Sequence, residues 1–274
     1  MKMSLIKLFC QLYKDESYCT GGDLFGFDME AASPQYEQAD MQLIANFYSR
    51  EFCPSLLPEP ARNFCELSVD AFDAFIHAWM SEQIIEAQIL RFGRRVIAAA
   101  EVESEPEAKR LAAEKAAADR GDADTLAVLS MVYKVHFESH RMLGFLRFVP
   151  DANGVYIARC APDHFVLPGL GEHFTARFGE TGWAIFDEKR GLCLCRLPGE
   201  SGLQPYAKIV THDEYLAVSS ADNGANASGD EWEDLWKHYH TTINNESRKN
   251  PGLQRQFMPK RYWKYLPEAP VQKP

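Results

Sequence analysis

Residues 183–196 read WAIFDEKRGLCLCR and carry the clearest structural signal in the chain. The five residues at each end are mostly apolar or aromatic, and the polar stretch between them closes on Gly191. Two such runs joined by a short glycine-containing turn are typical of a β-hairpin. We therefore predict paired strands at residues 183–187 and 192–196.

A second hairpin is predicted upstream, with strands at 145–149 and 155–159 around the turn residues PDANG. Helical periodicity predicts helices at 38–50, 68–100, 124–143 and, between the two hairpins, 169–178. The order predicts an α+β fold with a helical N-terminal half, an antiparallel sheet of two hairpins with an intervening helix, and a helical C-terminal tail. The helices are expected on one face of the sheet.

Four ranges follow from this pattern. Residues 1–121 form a mainly helical region, and residues 122–217 hold a central helix and the antiparallel sheet. Residues 218–230 are rich in Ser, Asn and Gly and are expected to be a flexible linker. Residues 231–274 are expected to form a helix and a tail that pack back on the body. The Ala-rich helix that starts near Pro106 has little to bury and is expected to lie in solvent.

Composition and charge exclude several classes of function. The 274 residues carry a formal net charge of −10, which argues against a protein that coats nucleic acid by bulk charge. The apolar start at residues 3–9 is too short to cross a bilayer, so we expect a cytoplasmic protein with no membrane partner.

The seven cysteines include no C-x-x-C pair and are expected to be reduced and buried. No nucleotide-binding glycine motif is present, and no cofactor is predicted.

His136 and His140 are four residues apart, a helical spacing that places two imidazoles on one face. A third metal ligand would come from Asp163, His164 or His173. The order H-E-x-x-H of zinc peptidases is absent, and a packed histidine pair is the commoner outcome. We therefore predict no metal site.

A group of charged and imidazole side chains can hold phosphate or move protons. Its candidate catalytic members are His140, Arg141, Asp163, His164, His173 and Arg177, with Glu138 and Arg147 nearby in sequence. The alternative is a buried polar network that fixes the sheet against the central helix.

The tail combines cations with aromatic rings. The cations are Arg248, Lys249, Arg255, Lys260, Arg261 and Lys264, interleaved with Phe257, Tyr262, Trp263 and Tyr265. Cations bind the phosphate backbone and aromatic faces stack on bases, so this tail is the best nucleic-acid signal in an acidic chain. The predicted nucleic-acid-binding residues are the six cations and Trp263. The alternative is that the aromatic residues only fix the tail to the core, while the cations are solvated.

Three stretches resemble a family of proteins assigned to DNA metabolism and defined by a domain of unknown function. They are ESHRMLGFLRF at 138–148, APDH at 161–164 with His173-Phe174 and Arg177-Phe178 beyond it, and RKNPGLQRQFMPKRYWKYLPE at 248–268. In that family the domain occurs beside radical-SAM DNA repair proteins or fused to a uracil-DNA glycosylase-like domain. The chain departs from the family near its start, where Leu5 to Tyr18 lacks the expected strand and Asp-Gly-Ser turn.

The resemblance implies a nucleic-acid-binding accessory protein in DNA repair or modification. Its partners would be DNA or another nucleic acid and a radical-SAM repair protein or uracil-DNA glycosylase-like protein. The alternative is an enzyme that acts on a nucleobase, nucleotide or phosphate ester through the His/Arg/Asp group. A protein-binding adaptor, whose acidic first half meets a basic partner, is the third hypothesis.

Overall fold

The computed structural model describes residues 3–13, 37–151, 153–197, 207–219, 238, 242 and 250–266. Its helices are Leu5–Tyr13 (α1), Gln38–Phe47 (α2), Glu59–Leu67 (α3), Val69–Met80 (α4), Glu86–Glu101 (α5), Pro106–Ala118 (α6), Ala123–Phe145 (α7), Gly171–Phe178 (α8), His212–Ser219 (α9) and Pro251–Phe257 (α10). Its strands are Val149–Pro150 (β1), Tyr156–Cys160 (β2), Trp183–Asp187 (β3), Leu192–Arg196 (β4) and Lys208–Thr211 (β5). The predicted α+β class is confirmed. Within the described ranges, no helix has the length and apolar character needed to cross a membrane.

The chain forms two compact units. Unit 1 comprises Met1–His140 and Asp163–Glu172, and unit 2 comprises Arg141–Pro162 and His173–Pro274. The predicted ranges divide the chain earlier, before α7. The predicted linker begins inside α9, and residues 220–230 lie outside the described part of the chain.

Aromatic side chains from three helices form the core of unit 1. The ring of Phe9 in α1 stacks on Phe72 and Phe75 of α4, with centroids 5.5 and 4.4 Å apart. Phe64 of α3 lies against Phe75. The aromatic stripe of α4 is therefore core, as its helical spacing predicts.

The helix predicted at 68–100 is two helices, α4 and α5. Glu82 between them has a φ of 57°, a left-handed conformation that a continuous α-helix does not allow. The released carbonyl of Met80 accepts a hydrogen bond from the Phe165 N–H. Apolar periodicity continues on both sides of the break, so the sequence pattern conceals it.

The prediction that the Ala-rich helix lies in solvent is wrong. α6 packs against α5, and Ala113, Ala116 and Ala117 are buried. Methyl groups at this spacing let two helices approach closely, so a helix without large apolar residues still buries a face. The large apolar residues of α7 divide between a buried and an exposed face. Val128, Val135 and Met142 are buried, whereas Leu126 and Tyr133 are exposed.

Asp40 links α2 to the start of α1. Its Oδ1 accepts hydrogen bonds from the Ser4 hydroxyl and the Ile6 N–H, each at 2.9 Å. Burial outweighs these bonds and raises the pKa of Asp40 above its ordinary value, to about 6. The folded state therefore binds the Asp40 proton more tightly than the unfolded state does.

This pKa shift predicts a pH-dependent difference between wild type and Asp40→Asn. The stability that protonated Asp40 contributes is fully present below its unfolded pKa and is lost as pH rises through about 6. Asparagine mimics the neutral form at every pH. From about pH 4 to about pH 8, the free energy of unfolding of wild type should fall by about 2 kcal/mol relative to the variant, as measured by urea denaturation. If the difference in free energy of unfolding between wild type and Asp40→Asn did not change with pH, the raised pKa of Asp40 would be contradicted.

The sheet of unit 2 has the order β1-β2-β3-β4-β5. The predicted β3–β4 hairpin is confirmed. β1 also pairs antiparallel with β2, but the strand predicted at 145–149 overlaps β1 only at Val149, because α7 extends to Phe145. β2 and β3, however, run parallel, so the sheet is mixed and not antiparallel throughout. Residues 161–182 connect these two strands and include α8, which gives the chain the length that a parallel crossover requires.

Helices cover both faces of the sheet, which corrects the expectation of one covered face. On one face, Ala184 and Phe186 pack with Tyr215 of α9. On the other, Trp183 contacts Phe174 and Phe178 of α8. Every residue of β3 is buried, in agreement with its continuous apolar run.

Candidate functional site

The basic segment, residues 250–266, consists of α10 and a short 3-10 helix at Lys260–Tyr265. Asn250 Oδ1 caps α10 by accepting the Leu253 N–H at 3.0 Å. Pro259 lies directly before the 3-10 helix. These residues give the segment a defined backbone.

Four cations of this segment have exposed side chains: Arg255, Lys260, Arg261 and Lys264. Residues 250–266 contain no Asp or Glu. Phe257 is 59% exposed, an unusual position for a large aromatic ring. The segment therefore presents positive charge and an aromatic face together. Arg248 and Lys249 lie outside the described residues.

Other residues fix the segment to unit 2. Tyr262 and Leu266 are buried, and the Tyr262 ring lies 5.7 Å from that of Phe145. The Tyr265 hydroxyl donates a 2.7 Å hydrogen bond to Glu188. Within the segment, half-buried Trp263 donates its indole N–H to the Met258 carbonyl at 2.8 Å and so fixes the 3-10 helix to the end of α10. Aromatic residues thus hold the segment in place while its cations are exposed, and nucleic-acid binding by these cations stays a prediction.

Two arginines from the body of unit 2 extend this positive surface. Arg141 donates to the Gln256 carbonyl at 3.2 Å. Arg159 lies 3.8 Å from Glu188, which also lies 3.3 Å from Lys264. The Tyr265 hydrogen bond and the Lys264 charge lower the pKa of Glu188, so this carboxylate is ionised and partly neutralises the surface.

The six candidate catalytic residues are divided between the units. His140, Asp163 and His164 belong to unit 1, and Arg141, His173 and Arg177 belong to unit 2. The side chains of His140, Asp163, His173 and Arg177 are exposed. Their convergence on one substrate stays a prediction.

Within unit 1, Glu138 and His164 take part in a hydrogen-bond network. The buried Glu138 carboxylate accepts the N–H groups of Asp163 and His164, at 2.8 and 2.7 Å. The His164 ring also contacts the Ser81 carbonyl, with Nδ1 at 2.7 Å. These contacts join α7 to the turn after α4, so Glu138 and His164 belong to a polar network within unit 1, and none of these contacts involves the sheet.

Glu138→Ala should therefore destabilise unit 1. The substitution leaves two N–H groups without their acceptor, and we expect the free energy of unfolding to fall by about 2 to 4 kcal/mol. Glu138→Gln keeps one acceptor oxygen, so its free energy of unfolding should fall clearly less than that of Glu138→Ala. Urea denaturation of the two variants measures the difference. Equal stability of Glu138→Ala and wild type would contradict this role.

A third group was not predicted from the sequence. Asp73 and His77 of α4 and His136 of α7 place one potential ligand atom each within 4.8 Å of one another. The imidazole centroids of His77 and His136 are 4.2 Å apart. Burial and the neighbouring His77 lower the pKa of His136, so its ring is neutral at pH 7. His140, the partner expected from helical spacing, is not in the group.

Comparison with protein-family models gives a match over residues 107–268, which is more than half of the chain, to DUF4130, a domain of unknown function. The chain belongs to the DUF4130 family. The comparisons with curated proteins and with solved structures gave no match. The DUF4130 match includes α7, the sheet and the whole basic segment, whereas Asp73 and His77 precede it.

Proposed function

We propose that this DUF4130 protein binds nucleic acid through its basic segment, as an accessory protein to an enzyme of DNA repair or modification. The supporting observation is the exposure of four cations on a segment that has no acidic residue and is fixed by the buried Tyr262 ring and the half-buried rings of Trp263 and Tyr265. Cations at fixed positions neutralise phosphates, and the exposed Phe257 ring offers a stacking surface for a base.

The enzyme partner follows from the resemblance alone. In the family that residues 138–148 and 248–268 resemble, some members accompany radical-SAM repair proteins and others are joined to uracil-DNA glycosylase-like domains. A pull-down from native cells, repeated with nuclease, should recover such an enzyme. Recovery that depends on intact nucleic acid would indicate a shared substrate, and recovery that survives nuclease would indicate direct contact.

Binding is tested by titrating labelled single-stranded and duplex oligonucleotides with the protein and following fluorescence anisotropy at several salt concentrations. We expect affinity to fall as salt rises, because phosphate neutralisation releases condensed counterions. We expect the exposed Phe257 ring to favour single-stranded over duplex oligonucleotides, because it offers a stacking surface for a base. Affinity that does not depend on salt, or no binding to either form, would contradict the proposal.

Glu188→Gln should strengthen binding. The substitution removes the acid that neutralises Lys264 and Arg159, and the amide oxygen still accepts the Tyr265 hydrogen bond. We expect roughly a two- to tenfold gain in affinity at low salt and a steeper salt dependence. The matched control is Glu172→Gln, an exposed acid of unit 1, which should leave affinity unchanged. A gain in the control alone would place the nucleic acid elsewhere.

A further inference from the structure

We propose that Asp73, His77 and His136 form a binding site for a divalent first-row transition-metal ion, with zinc as its best-suited occupant. The site lies within unit 1 and stands independently of the proposed nucleic-acid binding. Two imidazoles and one carboxylate are a donor set that suits zinc and its neighbours in the first row.

The helices position the three side chains. Asp73 and His77 are four residues apart on α4 and therefore share a face, where His77 Nδ1 lies 3.2 Å from the Asp73 carboxylate. Two ligand atoms on one tetrahedral zinc ion are separated by about 3.3 Å, given bonds of about 2.0 to 2.1 Å. The Asp73–His77 pair thus already has the separation that a shared ion requires.

His136 supplies the third ligand from α7. Its ring meets that of His77 at an angle of 78° with the centroids 4.2 Å apart, and one potential ligand atom of each residue lies within 4.8 Å of those of the other two. Among the described residues, the His136 ring has no hydrogen-bond partner that a metal ion would have to displace. His136 is exposed, so water reaches the site and can occupy a fourth position.

Tyr48 fixes the orientation of His77. The hydroxyl of this largely buried side chain lies 2.8 Å from His77 Nε2 and 3.7 Å from the Met80 sulfur. When Nδ1 binds the ion, Nε2 carries the proton and donates it to the Tyr48 oxygen, the usual arrangement for a metal-bound histidine. The ion replaces the 2.9 Å contact between Nδ1 and the Asp73 main-chain carbonyl oxygen.

The test is titration of the untagged protein with cobalt(II), followed by absorption spectroscopy, and with zinc, followed by calorimetry. Wild type should bind one ion with the spectrum of nitrogen and oxygen ligands. His136→Ala, a substitution at an exposed position, should weaken binding at least tenfold without changing the unfolding transition. Tyr48→Phe should weaken it less, because the metal ligands remain.

His140→Ala is the matched control, since His140 is exposed on the same helix one turn beyond His136. This variant should bind metal as wild type does. Three results would overturn the site: no binding by wild type, equal binding by His136→Ala and wild type, or equal losses in the two histidine variants. A sulfur-to-cobalt charge-transfer band would also overturn it, because the ion would then be bound by cysteine.

Discussion

Replacing Asp187 with alanine should destabilise the protein by about 3 to 5 kcal/mol, because the substitution leaves a buried arginine without its counterion. The side chains of Asp187 and Arg190 are 0% and 1% exposed, and Arg190 Nη1 lies 2.6 Å from Asp187 Oδ2. Arg190 Nη1 also donates to the Pro162 carbonyl at 3.1 Å. The pair therefore fixes the β3–β4 turn to the chain that follows β2.

Urea denaturation measures this loss. The double variant Asp187→Ala/Arg190→Met removes both charges and should lose less than the single variant, since no unpaired charge remains buried. Arg91→Gln is a control at an exposed ion pair, in which Arg91 lies 2.7 Å from Asp124, and it should lose at most about 1 kcal/mol. Similar losses at the two sites would contradict the argument from burial.

Replacing Arg255, Lys260, Arg261 and Lys264 together by glutamine should abolish most of the nucleic-acid affinity. Each lost phosphate contact reduces the slope of log affinity against log salt by about 0.9 for duplex or about 0.7 for single strands. Four lost contacts would thus reduce it by up to about 3.6 or about 2.8. The reduction should fall short of these limits, because Glu188 already partly neutralises Lys264.

A second quadruple variant separates position from net charge. Exposed cations of unit 1, Arg110, Lys115, Arg120 and Lys134, can be replaced by glutamine with the same change in net charge. This variant should retain wild-type affinity. Both quadruple variants should remain folded, since exposed charges contribute little to stability. Equal losses in the two would indicate a nonspecific response to net charge and contradict a defined binding surface.

Local patterns predicted local structure well. The β3–β4 hairpin lies where its apolar runs and turn residues place it, and the aromatic stripe of α4 is core. The parallel pairing of β2 with β3 depends on residues separated by the whole of α8, which no short window contains. The break after Met80 depends on distant contacts from Phe165 and His164 in the same way.

The candidate sites also depend on contacts between residues that are distant in the sequence. The spacing of His136 and His140 suggested a pair, because i and i+4 positions share a helix face. The structure instead groups His136 with residues about 60 positions earlier in the chain, a grouping that only tertiary packing creates. The i,i+4 spacing of Asp73 and His77 was a usable signal, but the pair lies within an apolar stripe at helical spacing, which indicates core. The basic segment was recognisable because its charges are contiguous.

Photo-crosslinking of a bound oligonucleotide, followed by mass spectrometry of the linked peptides, shows directly whether the basic segment contacts nucleic acid. Phe257 is the most exposed aromatic ring of this segment. Adducts should therefore concentrate within residues 250–266 and disappear in the Arg255/Lys260/Arg261/Lys264 variant. Adducts confined to unit 1, or adducts in the basic segment that persist unchanged in that variant, would contradict binding by this segment.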